Sequence, residues 1–423
     1  MTSEILLLNK RGVVIGADSA ATTSSGIDHP RYSKSANKIF ELTKNGSIAA
    51  AVFGNASIDG VPWELAIKLF RSQLGTKAFN RTLEYAAALI SFLTDNGRLF
   101  PTTFREQQAT VQFDSAIKEI ARLASDNDKS IRDTTLPVPV RRVAWKRQVE
   151  RIRALLSAKG IALPLTEEPL HRVLEDLEPW VRRAQVQVAA SDSLFAMDCE
   201  DLADLGHRLR YAMPETVSPR SGLVIAGYGE DQIFPSYAQL EIFGHVGDEL
   251  FYRLDDSYEM AQDAGAVIQP FAMSSMINIF TDGFDRNLEN IIDKQSQLAF
   301  QKALSRCREV GIDIPHSSLA SIFDTCQRDF VQAWKQMSWH RNRLPLLGIL
   351  QGLGIGEMAH LATSLLELQS LKERVTSSSE TVGGPIDVAV ITKNEGLVWI
   401  HRKHFFDPHL NMRYSARLHH SLA

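Results

Sequence analysis

The stretch Met1-Thr2-Ser3-Glu4-Ile5-Leu6-Leu7-Leu8-Asn9-Lys10-Arg11-Gly12-Val13-Val14-Ile15-Gly16-Ala17-Asp18-Ser19 decides the fold. Two apolar runs, residues 5–8 and 13–17, flank a turn at residues 9–12. A second pair, residues 38–42 and 47–53, is joined by Thr43-Lys44-Asn45-Gly46, and Asn-Gly is a strong hairpin signal. Both pairs read as β-hairpins. Their apolar runs are continuous rather than alternating, which predicts strands covered on both faces. Asp18 then ends one such strand and Lys38 begins another. Buried carboxylates and ammonium groups are expensive unless paired, so these two either meet or are exposed.

Composition sets wide bounds. A chain of 423 residues, 44% hydrophobic and 23% charged, has material for one large domain or two. A net charge of −4 lacks the basic excess of a dedicated nucleic-acid binder, and no nucleic-acid partner is expected. Cys199, Cys307 and Cys326 are odd in number and have no metal-ligand spacing, which fits a reducing compartment without a disulfide framework. The apolar run between Glu4 and Lys10 is too short for a signal-peptide core. No apolar run reaches the ~18 residues of a membrane span. The expectation is a cytoplasmic protein with no membrane association.

Along the chain, residues 62–70 and 76–94 have helical apolar spacing, the second with Leu83, Ala86, Ala87, Ile90, Ser91 and Leu93 in its stripe. Residues 101–220 read as a largely helical insertion, broken at 137–139, Pro164 and Pro214. Within it, residues 141–160 carry seven Lys or Arg against the single acid Glu150. Val149, Ile152, Leu155 and Leu156 supply an apolar stripe beside them, so this is a solvated helix face rather than a docking surface. Strands resume at residues 221–229, 237–243 and 249–255, and residues 271–276 lead into a helix through Phe284. A second helical insertion covers residues 286–350. Gly352-Leu353-Gly354-Ile355-Gly356 then opens a long helix to Arg374. No Lys-Ser/Thr follows it and no acidic ribose partner is placed, so it reads as a helix entry and not a phosphate loop. Residues 386–392 and 397–400 form a last hairpin. His401, His404, His409, His419 and His420 lack an accompanying carboxylate or Cys set; neither a metal nor a cofactor is expected.

Three segments taken together resemble the β-subunits of the proteasome and their bacterial relatives, N-terminal-threonine peptidases of the Ntn-hydrolase fold. The first is Gly12 to Thr22, Gly-Val-Val-Ile-Gly-Ala-Asp-Ser-Ala-Ala-Thr, with Asp18 at the family's interval from Thr2. The second is Ala36-Asn37-Lys38-Ile39, whose Lys38 stands four residues later than the family pattern places it; residues 26–33 absorb the excess. The third is Gly54-Asn55-Ala56 ahead of the first helix, and Ala226-Gly227-Tyr228 further on is similar to the family's Ala-Gly-Tyr. The resemblance covers residues 1–96, 221–256, 270–285 and 354–402, under half the chain. Near its end the family carries Asp-x-x-Ser-Gly-Gly. Gly383 and Gly384 match, but Ser379 stands for the Asp and Val382 for the Ser. The family's Gly-Ser-Gly ahead of its third helix has lost its glycines here, leaving Ser274 or Ser275 as the counterpart.

The resemblance implies an α+β fold, a single four-layer αββα sandwich over residues 1–423 with the two helical insertions. It implies Thr2 as nucleophile after loss of Met1, Lys38 tuning the Thr2 amine, and Asp18 holding Lys38. It further implies a backbone oxyanion donor near Ala51 and supporting roles for Ser274, Ser275 and Ser379. The implied partners are a peptide or protein substrate, further copies of the chain in a homo-oligomer such as a ring, and an unfoldase ATPase. The same residues leave two other readings open, a scaffold that has lost catalysis and an amidase acting on a small amide.

Overall fold

The computed structural model describes residues 2–23, 31–159, 205–206, 208–209, 212–213, 220–246, 248–311, 316–376, 383–407, 410–413 and 416. It is a mixed α/β chain built on antiparallel sheets. In chain order the strands are β1 (Ser3–Asn9), β2 (Gly12–Ala17), β3 (Ala21–Thr23), β4 (Arg31–Ser33), β5 (Ile39–Glu41), β6 (Ile48–Gly54), β7 (Ser57–Ile58) and β8 (Val61–Pro62). Helices α1 (Trp63–Leu74), α2 (Thr82–Asp95), α3 (Thr102–Asn127) and α4 (Val138–Lys159) follow. Next come β9 (Ser221–Gly227), β10 (Ser236–Val246), β11 (Glu249–Glu259) and β12 (Val267–Ala272). The remainder is α5 (Ser275–Asp282), α6 (Arg286–Glu309), α7 (His316–Ser338), α8 (Leu344–Gly352), α9 (Ile355–Thr376), β13 (Asp387–Thr392) and β14 (Gly396–His401).

Two compact units divide the chain, one of Met1–Ala49, Ala226–Ser236 and Glu259–Ala423, the other of Ala50–Ile225 and Tyr237–Tyr258. The first unit holds a five-stranded sheet in the order β12-β1-β2-β13-β14. Every neighbouring pair in it is antiparallel. The expected first hairpin is there: Leu6 faces Ile15 across it, and every residue of β1 and β2 is buried. One face of this sheet packs on α9, with Ile5, Leu7, Val14 and Val390 against Met358, Ala362, Leu365 and Leu366. Gly16 allows that approach, because a Cβ there would lie 2.7 Å from Leu366 Cδ1. Side chains alternate along a strand, so Ile5 and Leu7 toward α9 place Glu4, Leu6 and the preceding Thr2 on the opposite face.

Strand β12 was not expected from the sequence, which reads residues 271–276 as the lead into a helix through Phe284. Pro270 interrupts the apolar pattern there. A proline removes a ladder donor and is tolerated at a sheet edge, and β12 is the edge strand beside β1. Its end, Ala272, pairs with Ser3 and has φ of 57°, in the left-handed region that residues with a Cβ avoid. Such strain persists only where the surroundings over-determine it, and this instance lies one residue from Thr2.

The second five-stranded sheet has the order β11-β10-β9-β6-β5. In the second unit, α3 and α4 share a core of Ile120, Ala124, Trp145, Val149, Ile152 and Leu156. The apolar stripe expected on the basic helix is therefore buried in part. Leu155 departs from it and is exposed, as is Leu83 of α2. Ala86, Ile90 and Leu93 of the expected α2 stripe are buried and Tyr85, Leu89 and Phe92 join them, while Ala87 is exposed like Leu83. No helix among the described residues is long and apolar enough to cross a membrane.

Candidate active site

The ends of β1 and β2 lie side by side, and this juxtaposition makes the site. Thr2, just ahead of β1, is buried. Its carbonyl accepts the Met273 N–H at 2.9 Å, which continues the β1–β12 ladder past Ser3 and Ala272. Asp18 follows the last residue of β2, and its N–H donates to the Ser3 carbonyl at 3.1 Å. Ladder bonds thus fix both backbones before any side chain contributes.

The Asp18 carboxylate receives four donors. Oδ1 accepts from Ser3 N–H at 3.0 Å and from Lys38 Nζ at 2.6 Å. Oδ2 accepts from Gly383 N–H at 2.8 Å and from Ala20 N–H at 3.3 Å. An ionised carboxylate has about four lone-pair positions, so its hydrogen-bonding capacity is filled. The Lys38 and Asp18 side chains are 7% and 0% exposed. This answers the question the sequence posed: the two residues meet, and they meet in the interior. Lys38 reaches Asp18 from the segment just before β5.

Gly383, matched from the sequence, enters the site through its backbone, with φ of 145°. Together with Gly384, Lys34, Ser370, Arg374 and His401 it also lines an open cleft of about 910 Å³. Ser274 precedes α5, where its hydroxyl accepts from Asn278 Nδ2 at 3.1 Å. Ser275, the first residue of α5, accepts from Lys372 Nζ at 2.7 Å. Gln369 of α9 takes the Met276 N–H at 2.8 Å, so α9 holds the start of α5 at two points. Ala51 is buried within β6 and belongs to the second unit. Ser379 lies outside the described residues, as do Met1 and Val382.

Sequence reasoning missed Glu4 in this cluster. It is 0% exposed, and neither carboxyl oxygen has a hydrogen-bond partner among the described residues. Burial pushes its carboxyl well above the usual carboxylate range; Lys38 pulls it back in part and Asp18 pushes it further up. The signal was available, since a lone acid opening an otherwise apolar buried strand must be neutral, paired or exposed. The sign of its effect on stability follows. The unfolded chain gives up the Glu4 proton near 4.5 while the folded protein keeps it. Stability therefore declines as pH rises above that value, until Glu4 ionises in the native state as well. Glu4→Gln carries no such proton. Its stability relative to wild type should be equal at the acid end and should grow by about 1.4 kcal/mol per pH unit above it. Urea unfolding of both proteins at a series of pH values measures this, and a constant difference would show that Glu4 is not held protonated.

One further acid–base pair looks catalytic and is structural. In the second unit His245 is fully buried, with Nδ1 2.7 Å from Asp59 Oδ2 and Nε2 3.1 Å from the Leu93 carbonyl. Both ring nitrogens are engaged and neither reaches solvent, so the imidazole has no free position for a substrate. Among the described residues no group of three or more His, Cys, Asp or Glu could hold a metal ion.

No family model matches this sequence, and no curated protein matches it. Among solved structures the chain is similar to the Anbu complex in helical assembly from Pseudomonas aeruginosa, at 10% identity over 99% of this chain and 95% of that one, with a TM-score of 0.27. It is similar to an Anbu Gly-1 mutant from Hyphomicrobium sp. strain MC1, at 10% identity over 100% and 96% of the two chains, with a TM-score of 0.29. It is also similar to Anbu, an ancestral β-subunit, from Yersinia bercovieri, at 11% identity over 98% and 94%, with a TM-score of 0.26. At these values the comparisons carry no argument about activity, which has to be read from the residues of the site.

Proposed function

We propose that the chain is an N-terminal threonine hydrolase that cleaves peptide or other amide bonds, with Thr2 as nucleophile once Thr2 is the first residue. One observation carries this reading. A single oxygen, Asp18 Oδ1, takes both the N–H of Ser3, the residue after Thr2, and the Lys38 ammonium. The buried cation is thereby tied to the backbone within one residue of the nucleophile.

The chemistry needs that arrangement. A threonine hydroxyl is a weak nucleophile and requires a base. A free α-amine on Thr2 has an ordinary pKa of about 7.7–8.0, and a neighbouring cation lowers it, so the amine is neutral at physiological pH. The amine accepts the Oγ proton as Oγ attacks the substrate carbonyl carbon. The C–N bond then breaks, the leaving amine takes that proton, and water hydrolyses the resulting ester to free Thr2. The oxyanion is assigned to a backbone N–H at Ala51, with Ser274, Ser275 and Ser379 in support. The same reading assigns a cytoplasmic enzyme whose sheets stack as one four-layer αββα domain, with residues 101–220 and 286–350 as insertions. It assigns a homo-oligomer supplied with substrate by an unfoldase.

The test is the mass of the purified protein before and after an electrophile that reacts with a hydroxyl and an adjacent amine. The expected result is a chain beginning at Thr2 that gains one adduct, mapped to Thr2. A chain with free Thr2 that is neither labelled nor active on short peptide amides would make this a scaffold, and the proposal would be wrong.

A further inference from the structure

Glu4 is the titratable group of the cluster that this mechanism leaves unused. It lies two residues after Thr2, on the same face of β1, about 7 Å along the strand. Its side chain is wholly buried and both oxygens are unpartnered among the described residues. Lys38, ahead of β5, attracts its charged form, and Asp18, at the end of β2, repels it. The strands on either side place Phe271 of β12 and Ala17 of β2 opposite it, neither ionisable. Asp387 of β13, across β2 from Glu4, is paired with Lys403. On its own strand the remaining ionisable group is the amine of a processed Thr2.

The charge count is informative. Lys38 and Asp18 cancel, so with Glu4 neutral the cluster has no net charge. An ionised Glu4 would give the interior a second carboxylate against one ammonium. Negative charge would then stand on the face where Thr2 Oγ and the substrate oxyanion become negative, opposing both.

We propose that Glu4 is a positioning residue for the Thr2 centre: it holds a proton inside the Lys38–Asp18 cluster, and loss of that proton sets the alkaline limit of Thr2 reactivity. This rests on the reading of Thr2 as the nucleophile. A full charge about 7 Å away, at the effective dielectric of about 20 for a protein site, changes a rate by about fifty-fold.

The experiment compares processed wild type with Glu4→Gln by two readouts across neutral and alkaline pH. One is the rate of Thr2 labelling by the electrophile. The other is the infrared carbonyl band of a protonated carboxylic acid, which reports Glu4 directly and needs no activity. Wild type should show the band at neutral pH and Glu4→Gln should lack it. As the band disappears in alkali, wild-type labelling should fall about fifty-fold, while Glu4→Gln keeps its rate to higher pH. Coincident labelling profiles in two proteins that are both labelled would overturn the inference alone. So would a band that is the same in both. Labelling of neither protein at any pH would overturn the Thr2 reading and this inference with it. If Glu4→Gln does not fold, wild type alone decides, because band and labelling rate must be lost at the same pH.

Discussion

Thr2→Ala should hydrolyse short peptide amides at least about 10³-fold more slowly than wild type while folding with the same stability. The substitution removes the attacking oxygen and leaves the amine, the ladder bond from Met273 N–H to the Thr2 carbonyl, and the Lys38–Asp18 pair in place. Lys38→Ala, in a folded sample, should lose about 10²-fold or more, because the amine then returns toward its ordinary pKa and the developing oxyanion loses a cation. If the two act as a unit, the double variant should fall within a few-fold of Thr2→Ala. Losses that multiplied instead would mean that Lys38 acts independently of Thr2 and not as one unit with it. Thr2→Ser replaces the secondary hydroxyl by a primary one and keeps the amine, so measurable activity should return. Progress curves for fluorophore release from a peptide amide give all four rates. The reading would be falsified if folded Thr2→Ala retained wild-type activity.

The parts of this site that were legible in the sequence share a cause. Asp18 and Lys38 are charged residues at the ends of continuous apolar runs, and burial leaves such residues few options. The first hairpin was legible because its runs are bounded by turn residues. Gly383 could be matched by its place before the last hairpin, although its function through an N–H to Asp18 depends on a contact spanning 365 residues, which no local pattern records. Strand β12 was hidden by Pro270, which only the knowledge that it lies at a sheet edge makes admissible. Glu4, in sequence alone, is the polar flank of an apolar run. It reads differently once β12 and β2 are known to enclose it on both sides. In α2 the buried stripe was legible at Ala86, Ile90 and Leu93 but not at its edge, where Leu83 and Ala87 are exposed, because apolar residues on nearly every side of that helix fit more than one helical face.

The Lys38–Asp18 pair also predicts a large effect on stability, separable from activity. Asp18→Ala leaves the Lys38 ammonium buried without its counter-ion and removes the acceptor for Ser3 N–H and Gly383 N–H. Breaking a buried pair by removing one partner costs about 3–5 kcal/mol, and each orphaned amide adds roughly 1–3 kcal/mol. Loss of that size is comparable to the whole stability of many domains. Asp18→Asn should be milder, since an amide oxygen still accepts two of the four donors. Lys38→Met leaves Asp18 charged but with three backbone N–H donors, so its cost should fall at the low end of the same range. The double variant Asp18→Asn with Lys38→Met removes both charges and keeps the volume. It should be more stable than the sum of the single losses by at least about 1–2 kcal/mol, the sign expected of two groups whose burial each depends on the other. Urea denaturation of wild type and the three partial variants closes that cycle. Additive losses would mean that the 2.6 Å contact contributes nothing to the folded state, and that Lys38 is held in place by something other than Asp18.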